Sequence, residues 1–175
     1  MFSIETQRLR LIPLNIVQLE LLVKGRHVLE SAMELKLSNF ELNADSSFLE
    51  EFQTAIESYT IPAVKANADK YFWYTHWLII EKATNLTIGG VGMAGEPDES
   101  GQVILGYFID KKWEGKGFAT ESVASMLTWV LKDASVKAII ADTPAAHIGS
   151  QKVLKKNGFH LLGETDEGLR WIRVK

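Results

Sequence analysis

Val103-Ile-Leu-Gly-Tyr-Phe-Ile-Asp-Lys-Lys-Trp-Glu-Gly-Lys-Gly-Phe-Ala-Thr-Glu121 runs from β-branched and aromatic residues, across two closely spaced glycines, into residues with helical spacing. Ala119, Val123, Met126, Leu127 and Val130 keep that spacing up to Lys132, so the stretch reads as strand, turn and helix in direct succession. Gly115 and Gly117 remove the Cβ atoms that would hold a ligand off the backbone, and they permit positive φ. The amides that open the helix, from Gly117 to Thr120, have no acceptors behind them and point outward at the positive end of the dipole. Such a junction suits a phosphate or pyrophosphate, with Lys112 and Lys116 adding charge.

Downstream, Val136-Lys-Ala-Ile-Ile-Ala141 is a short apolar strand. Strand, helix and strand in that order imply a parallel pair. Ile148 to Asn157 is helical and stopped by Gly158, and Phe159–Gly163 with Leu169–Val174 makes a hairpin around a Thr-Asp-Glu-Gly turn. Upstream, Phe72–Ile80, Leu86–Met93 and Gln102–Ile109 read as three consecutive strands of an antiparallel meander, the last two separated by the loop Gly95–Gly101. Asn15 and Gln18 can cap a helix that ends at Gly25. Ser47 and Glu50 form a second capping pair, ahead of Phe48, Leu49, Phe52, Ala55, Ile56 and Tyr59 on one helical face, and Pro62 closes that helix. Arg8–Ile12 alternates polar and apolar residues before Pro13, as a half-buried strand does. The expected class is α/β (α+β), a mixed and mostly antiparallel sheet of about six to seven strands with about four helices, in one domain spanning 1–175.

Composition narrows the function. A net charge of −3 gives no footprint for nucleic acid. The absence of cysteine excludes disulfides, thiolate metal sites and cysteine nucleophiles. The four histidines have no metal-ligand spacing, and no metal is expected. The first residues show no signal-peptide pattern and no apolar run reaches membrane-spanning length, so a cytoplasmic enzyme or binding protein is expected, with no membrane partner. There is no Gly-x4-Gly-Lys-Ser/Thr, which argues against an ATP or GTP P-loop, and the third glycine of the dinucleotide fingerprint is missing.

At these residues the chain resembles the GNAT superfamily of N-acetyltransferases, and more narrowly its ribosomal-protein N-terminal (alanine) acetyltransferase branch. Thr6-Gln-Arg-Leu-Arg-Leu11, Gly106-Tyr107, Trp113-Glu-Gly-Lys-Gly-Phe-Ala-Thr-Glu121 and His147-Ile-Gly-Ser150, followed by Gly158-Phe159, stand in the order of that branch's motifs. The resemblance implies a splayed parallel pair at the centre of the sheet, opening between Tyr107–Ile109 and Ala138–Ala141. It places an acetyl-CoA co-substrate with its pyrophosphate on Lys112, Gly115, Lys116, Gly117, Phe118, Ala119 and Thr120. The pantetheine arm would run along the strand edge Tyr107, Phe108 and Ile109, with His147 and Ser150 also in contact. The acetyl group would pass directly to a primary amine, on a protein N-terminus or a small molecule, without a covalent enzyme intermediate. Similar proteins are commonly dimers, which makes a homodimer the implied assembly.

The departures are specific. Lys112 replaces the glutamine or arginine at the head of the turn motif, and His147 replaces asparagine. Ile104 stands where many relatives carry a glutamate, and Leu154 where many superfamily members have a tyrosine that protonates the thiolate. Ser150 is left as the thiolate's proton donor, and His147 as a second catalytic candidate. His76 is expected to be structural, Trp73 and Trp77 to belong to the core or an acceptor pocket, and Glu96, Asp98 and Glu99 to form an acidic loop near the amine entrance. Two rival functions remain open at this level: a catalytically silent acyl-CoA-binding module, and a dinucleotide-binding protein.

Overall fold

The computed structural model describes residues 2–42, 46–166 and 168–175, with side chains for all of these except 46–50. Its strands are β1 (Ile4–Glu5), β2 (Leu9–Pro13), β3 (Trp77–Glu81), β4 (Leu86–Met93), β5 (Gln102–Ile109), β6 (Ala138–Thr143), β7 (His160–Thr165) and β8 (Gly168–Val174). They form one sheet in the order β1-β2-β3-β4-β5-β6-β8-β7. Every neighbouring pair is antiparallel except β5 and β6. The helices are α1 (Ile16–Lys24), α2 (Arg26–Ala32), α3 (Ser46–Ala55), α4 (Ile61–Ala66), α5 (Phe118–Val130) and α6 (Ile148–Lys156).

The sheet has a separate core on each face. Val123, Met126, Leu127 and Val130 of α5 and Leu154 of α6 pack against Leu9, Leu11, Trp77, Ile79, Val91, Leu105 and Ile139. On the other face Leu19 of α1, Leu29 of α2 and Val64 of α4 meet Ile12, Leu78 and Ile80. β3 therefore sends Trp77 and Ile79 one way and Leu78 and Ile80 the other, and all of them are buried. Covering on both faces explains why this strand reads as an unbroken apolar run.

The local signals explain most boundaries. The Asn15 side chain accepts from the Gln18 amide at 3.0 Å and the Gln18 side chain accepts from the Asn15 amide at 2.9 Å, closing the capping box of α1. Gly25, with φ of 144°, ends α1, and α2 starts at the next residue, a helix that periodicity alone did not resolve. The strand expected from Phe72 begins only at Trp77. Ala68–Trp73 is a tight helical turn, because Trp73 and Trp77 both turn into the core around Trp129. Pro62 does not close the second helix as expected. Ile56–Thr60 widens into a π turn, with the Ile61 amide bonding Ile56 O, and α4 continues from it. Proline lacks the amide that a regular helix would use, and the widened turn removes the need for it. Ser47 and Glu50, the expected capping pair, lie outside the described side chains.

Candidate active site

β5 is bonded to β4 along its second part, from Leu105↔Met93 to Ile109↔Gly89. On its other side it pairs with β6 only at Gln102↔Ala138, Val103↔Ile139 and Ile104↔Ile140. Past that point β6 stays with β8, through Thr143↔Leu169. The two parallel strands therefore splay, and among the described residues Leu105–Ile109 has no strand partner on the side toward β6. The expected opening between Tyr107–Ile109 and Ala138–Ala141 is thus placed slightly further along β6, at Ala141–Thr143, since Ala138–Ile140 are still paired. The sheet holds a wedge-shaped gap in its middle.

The glycine turn stands at the far end of this free edge. Asp110 is buried, its amide donates to Ile88 O at 2.8 Å, and its Oδ1 accepts from the Lys112 amide at 2.9 Å. These bonds turn the chain out of β5. Gly115 and Gly117 have φ of 72° and 83°, a left-handed backbone that side chains resist. A Cβ on Gly115 would meet nothing within 4 Å, so the space above it is open. Gly117 caps α5, with its carbonyl accepting from the Glu121 amide at 3.0 Å. The amides of Phe118, Ala119 and Thr120 have no carbonyl behind them in the helix and are left for an external acceptor. Of the two expected lysines, Lys116 reaches back to Lys112 O at 2.8 Å and lies 4.9 Å from the Trp113 ring, exposed beside the turn. The Lys112 ammonium instead bonds Asn39 O at 3.2 Å, on the other face of the sheet.

The turn is anchored by residues that were not identified from the sequence as functional. The Arg8 guanidinium lies 4.3 Å from the Phe118 ring, donates to Lys116 O at 3.1 Å, and forms a two-pronged ion pair with Glu121 at 2.7 Å. Glu121 also accepts from Thr6 Oγ1 at 2.6 Å and from the Arg8 amide at 3.2 Å. Burial pushes the Glu121 carboxyl up, but the bonds from Thr6 and Arg8 outweigh it and hold the group below its usual value. The signal was present: Thr6 and Arg8 lie in the first motif quoted above and Glu121 ends the third.

At the start of α6, Ser150 and Tyr107 face each other. Their hydroxyls are 2.8 Å apart, and the Tyr107 hydroxyl also lies 3.1 Å from Ser150 O. Burial, partly offset by the bond to Ser150, pushes the Tyr107 phenol up to about 12. Tyr107 therefore enters the site through its side chain as well as its backbone edge. His147 caps α6 by accepting from the Ser150 amide at 3.2 Å through Nδ1, and its side chain is exposed. Leu154 is fully buried, so the place where many relatives present a tyrosine belongs to the core. On the opposite face of β5 follow Ile104, which is exposed, Gly106, and Phe108. The Phe108 ring lies across Gly90, where a Cβ would come within 2.6 Å of it.

The remaining candidates have ordinary roles. Trp73 and Trp77 are buried core residues rather than an acceptor pocket, and the indole of Trp77 donates to Phe72 O at 2.9 Å. Glu96 is held by Lys70 at 2.6 Å and by the Tyr74 hydroxyl at 3.0 Å. Asp98 receives the Ser100 and Gln102 amides at 2.9 Å and shapes its own loop, while Glu99 is exposed. His76 stacks 4.7 Å from Phe52, and burial together with the nearby Arg26 lowers it to about 4, which keeps it neutral at pH 7. Among the described residues no cluster of histidine and carboxylate side chains could hold a metal, and no helix is long and apolar enough to cross a membrane.

Comparison with known proteins gives three findings. The family model for the acetyltransferase (GNAT) domain matches residues 8–160. An uncharacterized N-acetyltransferase of Bacillus subtilis, YjdG, is 32% identical over 174 residues, covering 99% of both chains. Among solved structures, the ribosomal-protein-S5-alanine acetyltransferase of Vibrio fischeri superposes with a TM-score of 0.68 at 16% identity, covering 99% of this chain and 97% of that one. A ribosomal L7/L12 α-N-protein acetyltransferase in complex with coenzyme A gives a TM-score of 0.68 at 16% identity, with 99% and 98% covered.

Proposed function

The chain belongs to the acetyltransferase (GNAT) family, and from that premise we propose that it moves an acetyl group from acetyl-CoA to a primary amine. The observation that carries this reading is the free edge of Leu105–Ile109, which leads directly into a turn with two left-handed glycines and a helix opening. A pantetheine arm offers amide groups with strand-like spacing, and a pyrophosphate needs converging N–H donors; edge and turn supply them in that order. The open space above Gly115 and the free amides of Phe118, Ala119 and Thr120 fit such a ligand. On this reading Gly115–Thr120 and Lys116 hold the pyrophosphate. Lys112 acts at most from the rim, since its ammonium is already engaged with Asn39.

Acetyl-CoA supplies a thioester that an amine can attack without passing through the enzyme. The protein's share is orientation, charge stabilisation and one proton. Backbone amides along the free edge stabilise the charge that develops on the carbonyl oxygen. As the N–C bond forms and the C–S bond breaks, Ser150, held 2.8 Å from the Tyr107 hydroxyl, gives a proton to the departing sulfur. It regains one through solvent from the acceptor nitrogen, which sheds it on becoming an amide, while Tyr107 stays protonated and keeps the serine hydroxyl in place. His147 orients the first turn of α6 through the Ser150 amide. The acceptor enters on the face of β5 that carries Ile104, Gly106 and Phe108. A protein N-terminus is the first choice, since the structural neighbours named above act on ribosomal proteins.

Thiol release from acetyl-CoA over a panel of peptides and small amines tests the reading. Gly117→Glu sets a carboxylate beside the free amides and should abolish stabilisation by CoA. Gly117→Ala carries the same left-handed strain without the charge and should retain most of it. Equal stabilisation of both variants would remove the turn from the site. A silent acyl-CoA-binding module remains the second reading, favoured by Ile104 and Leu154; it requires CoA binding without thiol release for any amine.

A further inference from the structure

A cavity of about 610 Å³ opens on the Phe108 face of the sheet, within the range of small-ligand sites. Its walls come from the start of α2, the segment Ser38–Leu42, Phe52 of α3, Phe108 and Lys112. Ser38 fixes that segment by donating its amide to Glu30 at 2.9 Å, and Lys111 fixes its other end on Glu41 at 3.2 Å. Phe108 meets the Phe52 ring edge-on at 5.2 Å and the Phe40 ring at 5.9 Å, which makes one side of the cavity aromatic.

Arg26 supplies the other character. Arg26 lines the cavity with its guanidinium 4.0 Å from the Phe40 ring, and its Nη1 is buried without a hydrogen-bond partner among the described residues. Burial lowers its pKa, although Glu30 and Asp110 lie near enough to oppose the shift. Among the described residues neither carboxylate forms an ion pair with it; Glu30 accepts from the Ser38 amide and Asp110 from the Lys112 amide. Glu41, the acid that the wall itself carries, is paired with Lys111. A dehydrated cation without a contacting counter-ion costs free energy unless an anion arrives. Lys112 adds a second positive charge on the same wall.

We infer that this cavity seats the acceptor, and that Arg26 there selects amines carrying a carboxylate nearby, with the three phenylalanine rings receiving an apolar group beside it. The inference rests on the acetyltransferase reading and names the substrate class for it. The carboxylate belongs either to a free amino acid or to an acidic side chain next to a peptide N-terminus; both present the same pair of groups to Arg26.

Matched pairs separate the possibilities. Thiol release is measured for phenylalanine against phenylalaninamide, and for short peptides bearing aspartate against asparagine at their second position. The carboxylate member of at least one pair should be favoured in kcat/KM by about ten- to a hundredfold, the size of a charge-assisted hydrogen bond. Which pair shows it identifies the source. Arg26→Gln should erase the preference while leaving stabilisation by CoA unchanged, and Arg26→Lys should keep part of it. If the glutamine variant does not fold, the wild-type preference and its reduction in Arg26→Lys decide the matter. Equal turnover of both members in the wild type, or an undiminished preference in the variants, overturns the inference alone. Absence of thiol release for every amine, with CoA binding intact, overturns the acetyltransferase reading and this inference with it.

Discussion

Ser150 and Tyr107 share one hydrogen bond at the mouth of the gap in the sheet, and the two side chains have separable jobs. Ser150→Ala should lower kcat by about ten- to a hundredfold and leave CoA affinity nearly unchanged, as expected for loss of a positioned proton donor. Tyr107→Phe should do less, because Ser150 keeps its place through the helix start. Equal losses in kcat and affinity for Ser150→Ala would make it a binding residue only. His76 gives a second test at this scale. Its folded-state value of about 4 lies below the ordinary value near 6.5, so as pH falls the unfolded chain takes up a proton first. Stability is therefore lost between about pH 6.5 and 4, by no more than about 3 kcal/mol from this residue. Urea unfolding at pH 7.5 and pH 5 should show a smaller difference for His76→Phe than for the wild type; equal differences would contradict the assignment. Motif order puts Ser150 in the first turn of a helix, where the structure has it. Its partner hydroxyl was not legible in the sequence, because the direction of the Tyr107 side chain depends on where α6 packs.

Among the elements, the junction of β2 with α5 carries the most consequence. Thr6, Arg8 and Glu121 tie the N-terminal strand to the first turn of the helix whose amides form the turn's donor set. Glu121→Gln keeps the shape and removes the charge, and should destabilise the fold by about 1 kcal/mol, with the partial exposure of Arg8 keeping the figure low. The folded Glu121 carboxyl lies below its usual value, so this contribution is present above the ordinary glutamate range and vanishes as pH falls through the folded value. Thermal melts of the wild type and Glu121→Gln should differ at pH 7 and converge as falling pH protonates the folded carboxyl, and the variant should also need more CoA for the same stabilisation. A gap that persists at low pH would show that the charge is not the cause. Elements with short-range signals were read well: the Asn15–Gln18 capping box, the Gly25 and Gly158 stops, and the two-glycine turn each depend on neighbours in sequence. Where tertiary packing overrides composition the reading failed, as at Phe72–His76 and at Pro62.

For the molecule as a whole, element order was enough to recover a mostly antiparallel sheet with one parallel pair, since a strand–helix–strand unit leaves few alternatives. Eight strands rather than six or seven form because Ile4–Glu5 adds a two-residue edge too short to carry a pattern. The acceptor cavity was not legible. Arg26, Phe40, Phe52 and Phe108 come from four separate segments, and nothing periodic relates them. The three residue pairs that join β5 to β6 have a mechanical consequence. They divide the sheet into two leaves of five and three strands, bound at one end like pages at a short spine and free at the other. A molecule lying along the open margin would bridge both leaves, so occupancy would stiffen the protein as a single body. The core under α5 and α6 runs beneath both leaves, through Leu105, Val123 and Ile139, and holds them to one frame while the margin above stays open.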